Sequence, residues 1–208
     1  MPVYTYIVFY SRYGNTALMA DAVAEGVRDV DGMDAELAYV KDTFTPQNII
    51  DEDPGWKKNK EKLEAKYPAF ELDKMKNADA LIMGSPTRFG NMAAPLKNVW
   101  DMAAGLWFEG ALIDKIGAAF TCTASLHGGQ ETTPLSMYMP MIHQGMLIAG
   151  VPYSEQKLLT TTGGGTPYGA TAVVGAEADQ PPDKTELAIA RTLGERVARL
   201  TVALRADD

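Results

Sequence analysis

One cysteine in 208 residues, Cys122, leaves no partner for an internal disulfide and fits a reducing compartment. It lies in an apolar run, so a buried, unreactive thiol is expected. His127 and His143 are the only histidines, and with one cysteine they show no ligand spacing, so no metal site is expected. No apolar stretch approaches the ~18–20 residues of a membrane span. The N-terminal run lacks the basic segment and long apolar core of a secretory signal. The expectation is a cytoplasmic protein without a membrane span. Positive charge is also short: 19 Lys and Arg against 27 Asp and Glu give a net charge of −8. That balance argues against nucleic acid or an anionic membrane as partner. Missing too are the three-glycine dinucleotide fingerprint, the Gly-Lys-Ser/Thr ending of a P-loop and the Gly-x-Ser-x-Gly elbow of serine hydrolases.

What is present is an alternation of short apolar runs with helical patterns. Residues 4–10 form a β-branched and aromatic run. Met19, Val23, Val27 and Val30 then recur at helical spacing, predicting an amphipathic helix over 16–30. Further strands are predicted at 35–40, 78–84, 116–123 and 146–151. Leu96, Val99, Trp100 and Ala103 mark a helix that Gly105 can close. Ile189, Leu193, Val197, Leu200 and Leu204 mark a long C-terminal helix, started by an Asp183/Glu186 capping box. Five strands separated by helices predict one α/β domain over 1–208 with a doubly wound parallel sheet. Residues 41–76 exceed a plain crossover and read as an insertion between strands two and three. Within it, 51–67 is crowded with charge around Trp56, Leu63 and Tyr67 and reads as a solvated surface helix. Residues 160–182 are rich in Thr, Gly and Pro. Their Gly163-to-Gly169 stretch misses phosphate-loop spacing, and the segment is expected to be a long functional or interface loop.

In such sheets, ligands sit beyond the carboxyl ends of the strands. After the first strand comes Ser11-Arg12-Tyr13-Gly14-Asn15-Thr16, leading into a helix. Free N–H groups, the helix dipole and two hydroxyls suit a dianionic monophosphate, as in FMN, better than a metal-bound triphosphate. The loop alone fits an ordinary strand–helix turn equally well. After the third strand comes Pro86-Thr87-Arg88-Phe89-Gly90-Asn91, whose backbone amides can face a flat polar ring edge. After the fourth comes Thr123-Ala124-Ser125-Leu126-His127-Gly128-Gly129, again rich in hydroxyls and glycine. Any one of these is explained as a connecting turn; three converging on one crevice are not. Met137, Met139, Met141 and Met146 read as core or interface filler.

These strings, with residues 105–110 and 143–146, resemble the WrbA-type NAD(P)H:quinone oxidoreductases, the tryptophan-repressor-binding-protein type, over nearly the whole chain. The resemblance implies a flavodoxin-like fold, a five-stranded parallel sheet in the order 2-1-3-4-5 with helices on both faces, and FMN as cofactor. It implies that residues 11–16 hold the phosphate, including Gly14 and Asn15. Thr87, Arg88 and Phe89, between Pro86 and Gly90, would hold the isoalloxazine and its pyrimidine edge. Thr123 to Gly129 would wrap the ring and ribityl chain. Ala124, Leu126 and His127 stand where the family is richer in Gly, Ser and Thr, and the loop is one residue longer. His143 would approach the flavin from across the site, Trp107 would wall a flat substrate, and Tyr13 would contact the nicotinamide cofactor. For the histidines, a structural hydrogen-bonding role stays open.

The implied activity is two-electron reduction of quinones to hydroquinones by NADH or NADPH, with both substrates using one slot in ping-pong order. Neither reductant is singled out, because no 2′-phosphate clamp is visible in the sequence. The resemblance also implies a homotetramer, a dimer of dimers, with Trp107 and the His143 region near a neighbour's flavin. Trp56, Tyr67 and Tyr168 are aromatic types favoured at interfaces. Two rival readings are a flavodoxin-like electron carrier, which needs no 41–76 insertion, and a flavin-binding regulatory protein.

Overall fold

A computed structural model describes residues 3–205; the two ends of the 1–208 unit lie outside the described residues. The first apolar run becomes β1 (Val3–Phe9), buried on both faces from Thr5 onward, as a central parallel strand must be. It leads through a turn into α1 (Asn15–Arg28), and the chain returns as β2 (Met33–Tyr39). Three helices fill the insertion: α2 (Gln47–Asp51), α3 (Pro54–Lys66) and α4 (Leu72–Asn77). Then follow β3 (Ala80–Pro86), α5 (Ala94–Met102), α6 (Ala104–Phe108), β4 (Ile116–Thr123) and α7 (Thr132–His143). The last elements are β5 (Leu147–Ile148), α8 (Lys157–Thr160), β6 (Ala170–Val173) and α9 (Lys184–Arg205).

The strands pair in parallel in the expected order β2-β1-β3-β4-β5, with helices on both faces. On one face α1 and α9 touch backbone to backbone. A Cβ on Gly26 would lie 2.0 Å from the Arg191 carbonyl oxygen, and one on Gly194 would lie 2.1 Å from that of Val23. The capping box at Asp183 and Glu186 forms as predicted: Asp183 accepts from the Glu186 N–H, and Glu186 from the Asp183 N–H, both at 2.8 Å.

Three elements differ from the sequence expectation. The strand predicted at 146–151 pairs only through Leu147 and Ile148, opposite Ile116 and Gly117. Val151 donates to the Pro167 carbonyl at 3.0 Å instead of to β4, and Pro152 has no ladder donor to offer. The upper half of β4, Phe120 to Thr123, is taken by β6, a strand inside the segment expected to be loop. Two segments therefore fill one strand position. The glycine-rich stretch before β6 lets backbones close on each other: Cβ atoms on Gly164 and Gly169 would lie 2.2 Å from the carbonyls of Thr171 and Ala119. Second, Gly105 does not close a helix. α5 ends at Met102, and Gly105 and Trp107 sit within α6, not in a turn. Third, the charged helix at 51–67 is no mere solvated strip, because Trp56 and Tyr67 are only 3% and 7% exposed. Both belong to this chain's interior, and neither is free to serve an interface between subunits.

Candidate functional site

The loops after β1, β3 and β4 converge, with the segment after β6, around a cavity of about 190 Å³. Its floor is the start of α1. Gly14 is the N-cap at φ 99°, a left-handed conformation that favours glycine, and no side chain caps the helix. The Gly14 N–H donates to Ser11 Oγ at 3.0 Å, and the first helical bond runs from Leu18 N–H to the Gly14 carbonyl. The N–H groups of Asn15, Thr16 and Ala17 thus have no intrahelical acceptor. Buried hydroxyls of Ser11 and Thr16 flank them. Arg12 and Arg88 line the cavity and, among the described residues, no carboxylate does, in a chain of net charge −8. This donor set fits a phosphate dianion.

The loop after β3 is a two-residue hairpin. Arg88 N–H donates to the Asn91 carbonyl at 2.8 Å, and Asn91 N–H returns to Arg88 at 3.1 Å. Phe89 and Gly90 both take positive φ, 54° and 77°, the signature of a type I′ turn. The turn holds the Phe89 side chain fully in solvent. A bulky residue kept both strained and exposed points to a role outside the fold. Thr87 Oγ1 accepts from Gly90 N–H at 3.2 Å and bonds Thr133 Oγ1 at 2.8 Å. Gly129, at φ 107°, leaves only 2.8 Å between its would-be Cβ and Thr87 Oγ1, so the second and third loops lie against each other. Burial pulls the Arg88 guanidinium below its ordinary pKa, and it has no carboxylate ion-pair partner among the described residues.

Of the expected site residues, Ser11, Arg12, Tyr13, Asn15, Thr16, Pro86, Thr87, Arg88, Thr123 and Ala124 meet at this cavity. Ser125, Leu126 and His127 are exposed on the outer part of their loop, and His127 does not line it. Trp107 and His143 come together, but elsewhere: they line a separate groove of about 620 Å³ with Trp100, Met139 and Gln144. The hairpin stands between the two sites, giving Arg88 to the first and Asn91 to the second. Cys122 is buried and its thiol is pushed up to about 12 by desolvation.

Two contributors lie outside the three named loops, one of them inside the 160–182 segment expected to be a functional or interface loop. Val174, Gly175, Ala176 and Ala178 form a fourth wall, tied down by Asn15 Nδ2 donating to the Ala178 carbonyl at 2.8 Å. The apolar run at 170–174 between Gly169 and Gly175 was the available signal. The other contributor is the insertion, which braces the first loop. Asp53, the α3 N-cap, accepts from Tyr13 Oη at 2.6 Å and pairs with Arg12 at 3.4 Å. The hydrogen bond from Tyr13, then that from the Trp56 N–H, hold the Asp53 carboxyl below its usual pKa. Asn59 Nδ2 donates to the Arg12 carbonyl at 3.0 Å, and the Arg12 guanidinium lies 3.7 Å from the Trp56 ring centre.

Residues 10–154 match the model of the family described as NADPH-dependent FMN reductase. A protein of Trichlorobacter lovleyi named NAD(P)H dehydrogenase (quinone) is 46% identical over 202 residues, covering 96% of this chain and 98% of that protein. One of the same name from Aromatoleum aromaticum is 40% identical, covering 95% of each. Among solved structures, a flavodoxin, WrbA-like protein from Agrobacterium tumefaciens superposes with a TM-score of 0.66 at 24% identity, covering 97% of this chain and 98% of that one. An archaeal flavodoxin does so with a TM-score of 0.62 at 20% identity, covering 96% and 99%. These structural likenesses speak to the fold.

Proposed function

The chain belongs to the NADPH-dependent FMN reductase family, in its WrbA-type NAD(P)H dehydrogenase (quinone) branch, and from that premise we propose that it is an FMN-dependent NAD(P)H:quinone oxidoreductase. The observation that carries this reading is the carboxylate-free cradle at the uncapped start of α1. FMN held there would supply the redox chemistry, two-electron transfer between NAD(P)H and a quinone. The chain's own residues position the partners. The 11–16 loop holds the phosphate. Thr87 and Arg88 would face the ring's polar edge, where Arg88, in no ion pair among the described residues, would offer a positive charge. Phe89, fully in solvent, is free to cover the ring, and Thr123 and Ala124 would border ring and ribityl chain. Tyr13, held by Asp53, meets the nicotinamide. One slot serving reductant and quinone in turn makes the kinetics ping-pong.

Trp107 and His143 lie off this chain's own cradle, so in this reading they wall the slot of a neighbouring protomer within a homotetramer. Exposed Leu135, Met139 and Ile142 on α7, beside Trp107 and Phe108, supply an apolar face for that contact. The whole chain works as one cytoplasmic unit. Purified protein tests the activity directly: released flavin is identified by mass spectrometry, and benzoquinone reduction is followed with NADH and NADPH. Stoichiometric FMN and turnover are expected. FAD as the tight species, or FMN without quinone turnover, overturns the reading, the latter in favour of an electron carrier.

A further inference from the structure

A second cavity, of about 550 Å³, lies on the far side of Arg12 and Arg88 from the phosphate cradle. Asp42 and Thr45 after β2, Trp56 of α3 and the start of α5 wall it, and the two arginines line both cavities. Its charge runs against that of the molecule: Arg12, Arg88 and Lys97 face one carboxylate, Asp42, in a chain of net −8. That carboxylate is already engaged. It accepts from the N–H groups of Phe44 and Thr45, the Thr45 hydroxyl and the Tyr10 hydroxyl, each at 3.0 Å. Arg12 shares a longer contact with Asp53, which does not line the cavity, and Lys97 pairs with Asp101 on the exposed face of α5. An exposed pair of that kind is worth little and is readily exchanged for a stronger anion. α5 opens here without a side-chain cap, with its positive dipole end at Ala93 and Ala94. The Trp56 indole Nε1, in a residue only 3% exposed that lines this cavity, has no hydrogen-bond partner among the described residues.

A neutral quinone has no use for this surplus of cations and donors, and the FMN phosphate belongs to α1. We propose that the cavity receives the phosphates of the nicotinamide dinucleotide, and that Lys97 with the start of α5 reads the 2′-phosphate that distinguishes NADPH from NADH. The proposal rests on the oxidoreductase reading above. Arg12 and Arg88 border the flavin cradle and serve the diphosphate common to both reductants. Lys97 does not touch the cradle; it lies where this cavity meets the Trp107 groove, and is the lining cation left for the additional phosphate.

FMN-loaded protein and its Lys97→Met and Lys97→Arg variants test this in two ways. The ratio of kcat/KM for NADPH over NADH falls roughly tenfold in Lys97→Met, the scale of one charged hydrogen bond, and recovers in Lys97→Arg. Calorimetric titration, independent of turnover, compares 2′-phospho-ADP-ribose with ADP-ribose: the wild type prefers the former and Lys97→Met loses the preference. Equal affinities in the wild type, or a preference untouched by Lys97→Met, overturn the phosphate assignment while NADH-driven quinone reduction still upholds the enzyme. Absence of flavin and of turnover with both reductants overturns the enzyme reading instead, and the calorimetry still decides the phosphate site.

Discussion

Thr16 places a buried hydroxyl in the first turn of α1, at the floor of the phosphate cradle and within reach of the Cys122 thiol. Thr16→Val keeps the shape and removes the donor, so FMN affinity measured by flavin fluorescence titration falls by about 1–3 kcal/mol, the range for a hydrogen bond to a charged group. Unchanged affinity would reduce Thr16 to a packing residue. Cys122 behaves oppositely to a reactive thiol. Desolvation raises its pKa to about 12, so only a trace of thiolate exists near pH 8. Iodoacetamide at pH 8 should leave the folded protein unmodified by mass and label it fully in denaturant. Labelling of the native state at the unfolded rate would contradict the burial.

At the scale of elements, α3 acts as a brace for the loop ahead of α1. Asp53 both caps α3, accepting from the Trp56 N–H at 2.9 Å, and receives Tyr13 and Arg12. The two roles separate by substitution. Asp53→Ala loses both: thermal unfolding shows a loss of about 1 kcal/mol, typical of an N-cap, and FMN binds more weakly. Asp53→Ser retains a capping oxygen but cannot pair with Arg12, so stability recovers and FMN affinity does not. Recovery of both in Asp53→Ser would mean that the brace works through α3 alone. The opposite end of α1 is insulated from these changes, because its contact with α9 at Gly26 and Gly194 is backbone on backbone.

For the whole molecule, the decisive surface is the one around Trp107 and His143. Met139, 57% exposed on α7, stands in that groove with exposed Trp107, and Leu135 and Ile142 on the same helix are exposed too. A carboxylate buried at that contact is costly, because the Lys97 that lines the groove is already paired with Asp101. Met139→Glu therefore shifts light-scattering mass towards smaller species across a dilution series. It also lowers quinone turnover per bound flavin, while flavin content stays near wild type. Full activity in a species that remains monomeric would move Trp107 and His143 out of the substrate slot.

The strand order came with the family resemblance; the residues by themselves determined the α/β class and the turns after β1, β3 and β4 that border the cavity. Those depend on local apolar periods and on turns that follow a strand directly, and both are written in contiguous sequence. Tertiary structure alone decided the rest. Which of two apolar runs, 146–151 or 170–174, pairs with β4 depends on where backbones can close, at Gly164 and Gly169. Whether Trp56 faces solvent, a partner or Arg12 depends on how the insertion folds back, which charge patterning does not encode. The separation of Trp107 and His143 from the cradle follows from the path of α5 to α7 around the sheet. The cationic cavity is likewise assembled from stretches far apart in the chain, around 10–12, 42–45, 56 and 88–97, so no spacing in the chain could announce it.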